Sequence, residues 1–254
     1  MLNQTTFGPE AGVPLIIAHG LFGSARNWGV LAKRLADDRR VIAVDMRNHA
    51  ASPWHSSHSY PDQAADLADV IAAAGGQADM LGHSMGGKAA MVLALQHPGL
   101  VRRLIVADVA PVAYNHTQSH LIAAMRNLDL TGITRRGQAD QALAAIVPDD
   151  STRAFLLQSL DLKGESPRWM LNLDVLDAAM PDILGFPDQG NARFDGPALF
   201  LSGGLSDYVQ DAYKPAIRAL FPAARFHAID GAAHWLHAEK PREFEAATRD
   251  FLSA

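Results

Sequence analysis

The chain has 254 residues and no cysteine. That single absence excludes disulfides, thiolate zinc sites, iron–sulfur clusters and a cysteine nucleophile. No lysine/arginine run stands out, and 22 basic side chains against 27 acidic ones leave a net charge of -5. A nucleic-acid partner would need a basic footprint, so none is expected. The apolar runs are strand-sized, well short of the roughly 20 residues of a membrane span. The start, "MLNQTTFGPEAGVP", has neither the basic flank nor the long apolar stretch of a secretory signal. These absences predict a cytoplasmic protein without a membrane partner. His49, His55 and His58 lie close in sequence, but no acid or cysteine completes a metal site, so they read as loop histidines.

What is present is an ordinary globular composition, 48% hydrophobic and 19% charged, at a length suited to one large α/β domain or two small ones. Short apolar runs at 13–20, 40–45, 78–81, 103–108, 197–203 and 224–230 read as strands buried on both faces, as in a parallel sheet covered by helices. Helix-length segments separate them, and this alternation predicts a doubly wound α/β sandwich. Residues 113–195 break the rhythm. They hold no convincing strand but several amphipathic stretches, with Leu121, Met125 and Leu128 on one helical face and Trp169, Leu173, Leu176 and Met180 on another. An all-helical insertion of this kind predicts a cap, 113–195, over a core formed by 1–112 and 196–254.

The segment "MLGHSMGGKAAM", 80–91, places Ser84 between glycines at the junction of a strand and a helix. Gly82-His83-Ser84-Met85-Gly86 fits G-x-S-x-G, in which glycines let strand and helix approach while the hydroxyl projects from a strained turn. A serine hydroxyl needs a base to become a nucleophile. In a fold of this order the histidine follows the last strand, which selects His234 in "DGAAHWLHAEKP" from eleven histidines. Two acids satisfy the order. Asp108 ends the strand 103–108, and Asp207 follows the strand 197–203. Either could instead cap a turn or helix. The oxyanion requires two backbone donors, expected from Met85 and, in "HGLFGSARNW", from Leu21. His19 is expected to brace that loop.

Together these residues resemble the α/β-hydrolase superfamily over nearly the whole chain. More narrowly, "HGLFGSARNW", "DMRNHAASPW", "GHSMGGKAAM", "VADVAPVAY" and "GAAHWLHAEKP" resemble the YbfF-type bacterial esterases and their mitochondrial relatives. The resemblance implies a capped α/β-hydrolase fold and hydrolysis of acyl esters or thioesters, with no metal or organic cofactor. It also implies a triad acid at Asp108, which favours Asp108 over Asp207. The family's D-x-R-N-H-G pattern has Ala50 in its last place here. Lys88 fits the family's "GGK" and could attract an anionic substrate such as an acyl-CoA, or simply lie exposed on its helix. Phe22, Trp28, Trp54, Trp169 and Trp235 are candidate walls of an apolar acyl pocket or parts of the core. A cofactor-free elimination or carbon–carbon cleavage on the same scaffold, and a ligand receptor, are the rival functions. The sequence specifies no oligomeric state.

Overall fold

Strands that are apolar at every position are stable only where both faces are covered. The computed structural model, which describes residues 1–254, uses them in that way. Strands β1 (Gln4–Phe7), β2 (Leu15–Ala18), β3 (Val41–Val44), β4 (Ala78–His83) and β5 (Val101–Ala107) form the first part of the chain. They are interleaved with helices α1 (Gly29–Leu35), α2 (Tyr60–Ala73) and α3 (Met85–Gln96). Next come α4 (Ser119–Asn127), α5 (Arg136–Leu143) and α6 (Asp150–Leu156). A two-residue hairpin of β6 (Leu160–Asp161) and β7 (Arg168–Trp169) follows, then α7 (Leu173–Ala178) and α8 (Met180–Leu184). The chain closes with β8 (Ala198–Gly203), α9 (Lys214–Leu220), β9 (Ala224–Ile229), α10 (Leu236–Glu239) and α11 (Pro241–Ser253).

Seven strands make one sheet in the order β1-β3-β2-β4-β5-β8-β9, parallel throughout except for β1, which is antiparallel on the β3 edge. Alternate residues of each strand enter opposite layers. Ile16, Val44, Met80, Val106 and Phe200 pack with α2, α3 and residues from α4 to α8. Ile17, Ala43, Leu81, Ile105 and Leu201 pack with α1 and α11. The first layer is the larger because the segment between β5 and β8 folds onto the same side. No helix is long and apolar enough to cross a membrane.

The structure adds one strand to those expected and corrects two expectations. The run 224–230 forms β9, but as the outer strand of the sheet it is not buried on both faces: Arg225, His227 and Ala228 are exposed and only Ile229 is buried. The polar stretch Gln4–Phe7 is a strand; only its edge position makes that possible, since its middle residues face solvent. The insertion is not all-helical. Trp169 lies in β7 rather than on a helix with Leu173 and Leu176, and Met180 starts a separate helix with Pro181 in its first turn. All three of Trp169, Leu176 and Met180 are buried, but from three elements and not from one helical stripe.

Candidate active site

At the tip of β4 the backbone turns sharply into α3 through Ser84, whose φ of 52° and ψ of -120° place it in a region that L-residues rarely occupy. The glycines explain how the turn closes. A Cβ on Gly82 would lie 2.3 Å from the Gly86 carbonyl oxygen, and one on Gly86 would lie 2.5 Å from the Ala18 carbonyl oxygen. Strand, helix and the neighbouring β2 therefore touch backbone to backbone. The serine is left at the N-terminus of a twelve-residue helix.

Asp108, just beyond β5, has the same φ of 52° and is fully buried. Its Oδ2 accepts hydrogen bonds from His234 Nδ1 at 2.8 Å and from the Ser206 hydroxyl at 2.5 Å. Its Oδ1 accepts from the Gly203 amide at 3.0 Å. The loop after β8 thus reaches the carboxylate through Ser206, while Asp207 next to it is exposed. The Tyr208 ring stacks on His234 with centroids 4.1 Å apart. His83 donates from Nε2 to the His234 carbonyl at 2.9 Å. His234 is therefore held at its ring and at its backbone, and it shares one cavity with Ser84, Leu21, Phe22, Met85, Lys88 and Trp235.

The loop after β2 is fixed amide by amide. His19 donates from Nδ1 to the Gly20 carbonyl at 2.7 Å and accepts the Met46 amide on Nε2 at 2.9 Å. Phe22, at a φ of 64°, donates its amide to His49 Nε2 at 3.2 Å. The Gly23, Ser24 and Ala25 amides donate to the Gly20 carbonyl, the Asn27 side chain and Asp45. Among the amides from Leu21 to Ala25, only that of Leu21 is left without a partner, and Leu21 lines the same cavity as Met85, whose amide is the first of α3 and has no partner in its own helix. Two unengaged donors at one wall of a cavity are what a developing oxyanion requires.

Sequence reading missed His49. Sequence alone reads it as a loop histidine, yet it is buried and orients Phe22, with its own Nδ1 donating to the Arg47 carbonyl at 2.8 Å. His58 lies behind it, against the Met85 sulfur at 3.2 Å. Desolvation pulls His19 down to about 4 and His49 to about 3. Both stay neutral at ordinary pH, which keeps one ring nitrogen bare to accept the Met46 or Phe22 amide. No set of three acids or histidines is arranged to hold a metal ion.

Lys88 is neither exposed nor available to a ligand. It is 1% exposed, and its ammonium donates to the carbonyls of Val112 at 2.9 Å, Leu184 at 2.8 Å and Gly185 at 2.5 Å. Those carbonyls stand where the chain leaves β5 and at the end of α8, so one side chain ties the start of the insertion and the end of α8 to α3. Desolvation lowers its pKa to about 7. Of the aromatic candidates, Phe22, Trp28 and Trp235 line the cavity. Trp54 is 56% exposed, and Trp169 is buried with its indole donating to the Met125 carbonyl at 2.8 Å. The cavity, about 240 Å³, is lined by no arginine, aspartate or glutamate.

A serine at a strand–helix elbow, an imidazole paired with a carboxylate and two unengaged amides, at the carboxyl ends of a parallel sheet, define a hydrolase-type site on an α/β scaffold. Comparison with known proteins agrees. The alpha/beta hydrolase fold family matches residues 13–241, and the chain belongs to that family. It is 40% identical over 99% of its length to 85% of the mouse sn-1-specific diacylglycerol lipase ABHD11. It is 39% identical over 98% of its length to 97% of the Escherichia coli K12 esterase YbfF. A solved marine microorganism esterase superposes with a TM-score of 0.94 at 37% identity, covering 98% of both chains. Within the family, the chain is an enzyme of the YbfF-type esterase and lipase branch.

Proposed function

We propose that the protein hydrolyses esters or thioesters of uncharged carboxylic acids through an acyl-enzyme on Ser84. The observation that carries this reading is the 2.8 Å contact between the buried Asp108 and Nδ1 of His234, a residue that lines one cavity with Ser84. With Nδ1 donating to Asp108, Nε2 is the nitrogen left bare to take the serine proton. Ser84 then attacks the acyl carbonyl. The amides of Leu21 and Met85, at the positive end of α3, stabilise the negative oxygen. The resulting imidazolium lies against the Asp108 carboxylate and the Tyr208 ring, and it returns the proton to the leaving group. Water repeats the sequence and releases the acid.

Residues 113–195 act as a cap domain over a core of 1–112 and 196–254, contributing Tyr114, Leu121, Phe155, Ile183 and Leu184 to the cavity wall. An acyl group bearing a carboxylate would find no guanidinium there, and the one ammonium already serves three carbonyls. This supports a neutral acyl chain.

Ser84→Ala is expected to lower kcat for p-nitrophenyl butyrate by several orders of magnitude, since members of a triad act as a unit. A fluorophosphonate is expected to label the wild type at Ser84 and leave the variant unlabelled. Retained turnover in Ser84→Ala would refute the assignment. A parallel series of acyl-CoAs separates thioester from ester hydrolysis.

A further inference from the structure

The loop after β2 is also gripped from the insertion. Ser159, the last residue before β6, is buried and donates its hydroxyl to the Phe22 carbonyl at 2.9 Å, across 137 positions of sequence. Its neighbour Gln158 accepts the Asn27 side-chain amide at 2.6 Å, and the same Asn27 side chain accepts the Ser24 amide at 2.7 Å. Ser159 is itself fixed, because its carbonyl accepts the Met170 amide at 2.8 Å. The Met170 carbonyl in turn accepts the Ala50 amide at 2.7 Å, next to His49 in the chain. The two groups that hold Phe22, the Ser159 hydroxyl and the His49 ring, are thus tied to one another through Met170.

Peptide geometry passes this grip to an oxyanion donor. In a trans peptide the C=O and the N–H lie in one plane and point in opposite directions, so fixing either fixes the other. The Phe22 carbonyl that accepts from Ser159 shares its plane with the Gly23 amide. That amide donates to the Gly20 carbonyl at 3.0 Å, and the Gly20 carbonyl shares its plane with the unengaged Leu21 amide. The series runs from the Ser159 hydroxyl through two peptide groups to the Leu21 N–H. Each hydrogen bond in such a series polarises the next, which strengthens the N–H at its far end as a donor. Phe22 stands in the middle at a φ of 64°, a backbone region that residues with a side chain occupy only when their surroundings hold them there. Without the Ser159 hydroxyl the buried Phe22 carbonyl loses its partner, and nothing on the insertion side resists rotation of that peptide.

We propose that Ser159 is a positioning residue for catalysis: a hydroxyl supplied by the insertion sets the Leu21 amide for the negative oxygen of the transition state. The proposal rests on the Ser84 mechanism above, in which that amide is one of two oxyanion donors. An interaction of this kind acts on the transition state far more than on bound substrate, so its loss is read in kcat and not in KM.

The test is hydrolysis of p-nitrophenyl butyrate by Ser159→Ala and Ser159→Thr, together with inhibition by trifluoromethyl propyl ketone. That ketone adds to the serine hydroxyl as a hemiketal and places a negative oxygen between the oxyanion donors. Ser159→Ala is expected to lower kcat about tenfold with KM within about twofold, and to weaken inhibition by the same factor as kcat. Ser159→Thr, which keeps the hydroxyl, is expected to return most of both. Ser159→Cys, close in shape but a weaker donor, takes the place of the alanine variant should that one not fold, with losses in the same direction. Wild-type kcat in Ser159→Ala, or a change in KM alone, would overturn the role of Ser159. So would ketone inhibition left untouched while kcat falls, or a threonine variant as impaired as alanine. Turnover by Ser84→Ala would instead overturn the underlying mechanism, so the two failures are distinguishable.

Discussion

Replacing Asp108 by asparagine changes one atom and reverses the tautomer of the histidine it holds. The buried carboxylate presents Oδ1 to the Gly203 amide at 3.0 Å and Oδ2 to His234 Nδ1 at 2.8 Å. In Asp108→Asn the Gly203 N–H still needs an acceptor, so the side-chain carbonyl takes the Oδ1 place and the NH₂ falls in the Oδ2 place. There it points a donor at Nδ1. The imidazole can meet it only with Nδ1 bare, which puts the proton on Nε2, the nitrogen that accepts from Ser84 in the mechanism proposed above. The Ser206 hydroxyl, now able to accept from the NH₂, stabilises the same orientation. The fold survives, because the replacement is isosteric, while kcat is expected to fall by about 10³–10⁴, roughly 4–5.5 kcal/mol of barrier. Asp207→Asn changes an exposed side chain and is expected to stay within about twofold. Steady-state hydrolysis of p-nitrophenyl butyrate by both variants decides the matter. An Asp108→Asn enzyme keeping more than a tenth of wild-type activity, or an Asp207→Asn enzyme losing as much, would refute the reasoning.

Gly86→Ala brings a Cβ to 2.5 Å from the Ala18 carbonyl oxygen, whereas a Cβ on Gly29 meets nothing within 4 Å. The first is expected to cost on the order of 3 kcal/mol in urea unfolding, the second to be neutral or mildly stabilising; equal midpoints would contradict the close approach. Lys88→Met removes the donor shared by Val112, Leu184 and Gly185, so amide hydrogen exchange at both ends of the insertion is expected to quicken and KM to rise several-fold. Unchanged exchange there would show that the ammonium does not hold these ends. In acid, buried histidines set the sign. His19 has its pKa depressed to about 4 from an ordinary value near 6.5, so the unfolded chain binds a proton that the folded one refuses between those values. Stability is therefore present above pH ~6.5 and lost as pH falls towards 4, by up to about 3 kcal/mol for this residue. His49 adds to the same window but is coupled to His19, 5.1 Å away between ring centres, so the two losses do not simply sum. Urea unfolding between pH 7 and 4.5 is expected to show a shallower slope for His19→Gln; an identical slope would exclude His19 as a source.

Much of the architecture was legible because the physics is local. The parallel strands declare themselves through apolar runs such as Leu15–Ala18, Val41–Val44 and residues 104–107, and the elbow at Ser84 through glycines that only a backbone-to-backbone contact requires. Gln4–Phe7 escaped because an antiparallel edge strand takes its stability from β3 and not from its own apolar content. The hairpin in the insertion escaped because two-residue strands have no period to detect. At the site, chain order left Asp108 and Asp207 equivalent; only the packing of β5 against β8 distinguishes the acid that reaches His234 from the one that faces water. His49 and Lys88 were misjudged for a related reason. A polar residue looks like a surface residue until its long-range partners are known, and those of Lys88 lie 24 to 97 positions away.

The insertion departs and returns at adjacent strands, β5 and β8, and Lys88 ties its start at Val112 to the end of α8 at Leu184 and Gly185. A segment whose ends already meet can be exchanged for another of different length or shape without altering the register of the sheet beneath. On the cap reading proposed above, insertions transplanted from related enzymes at these junctions would therefore alter which molecules enter while the sheet and its strand tips stay in place. With the insertion as the cap proposed above, selectivity and chemistry are separable parts of this scaffold once the Ser159 hydroxyl is kept.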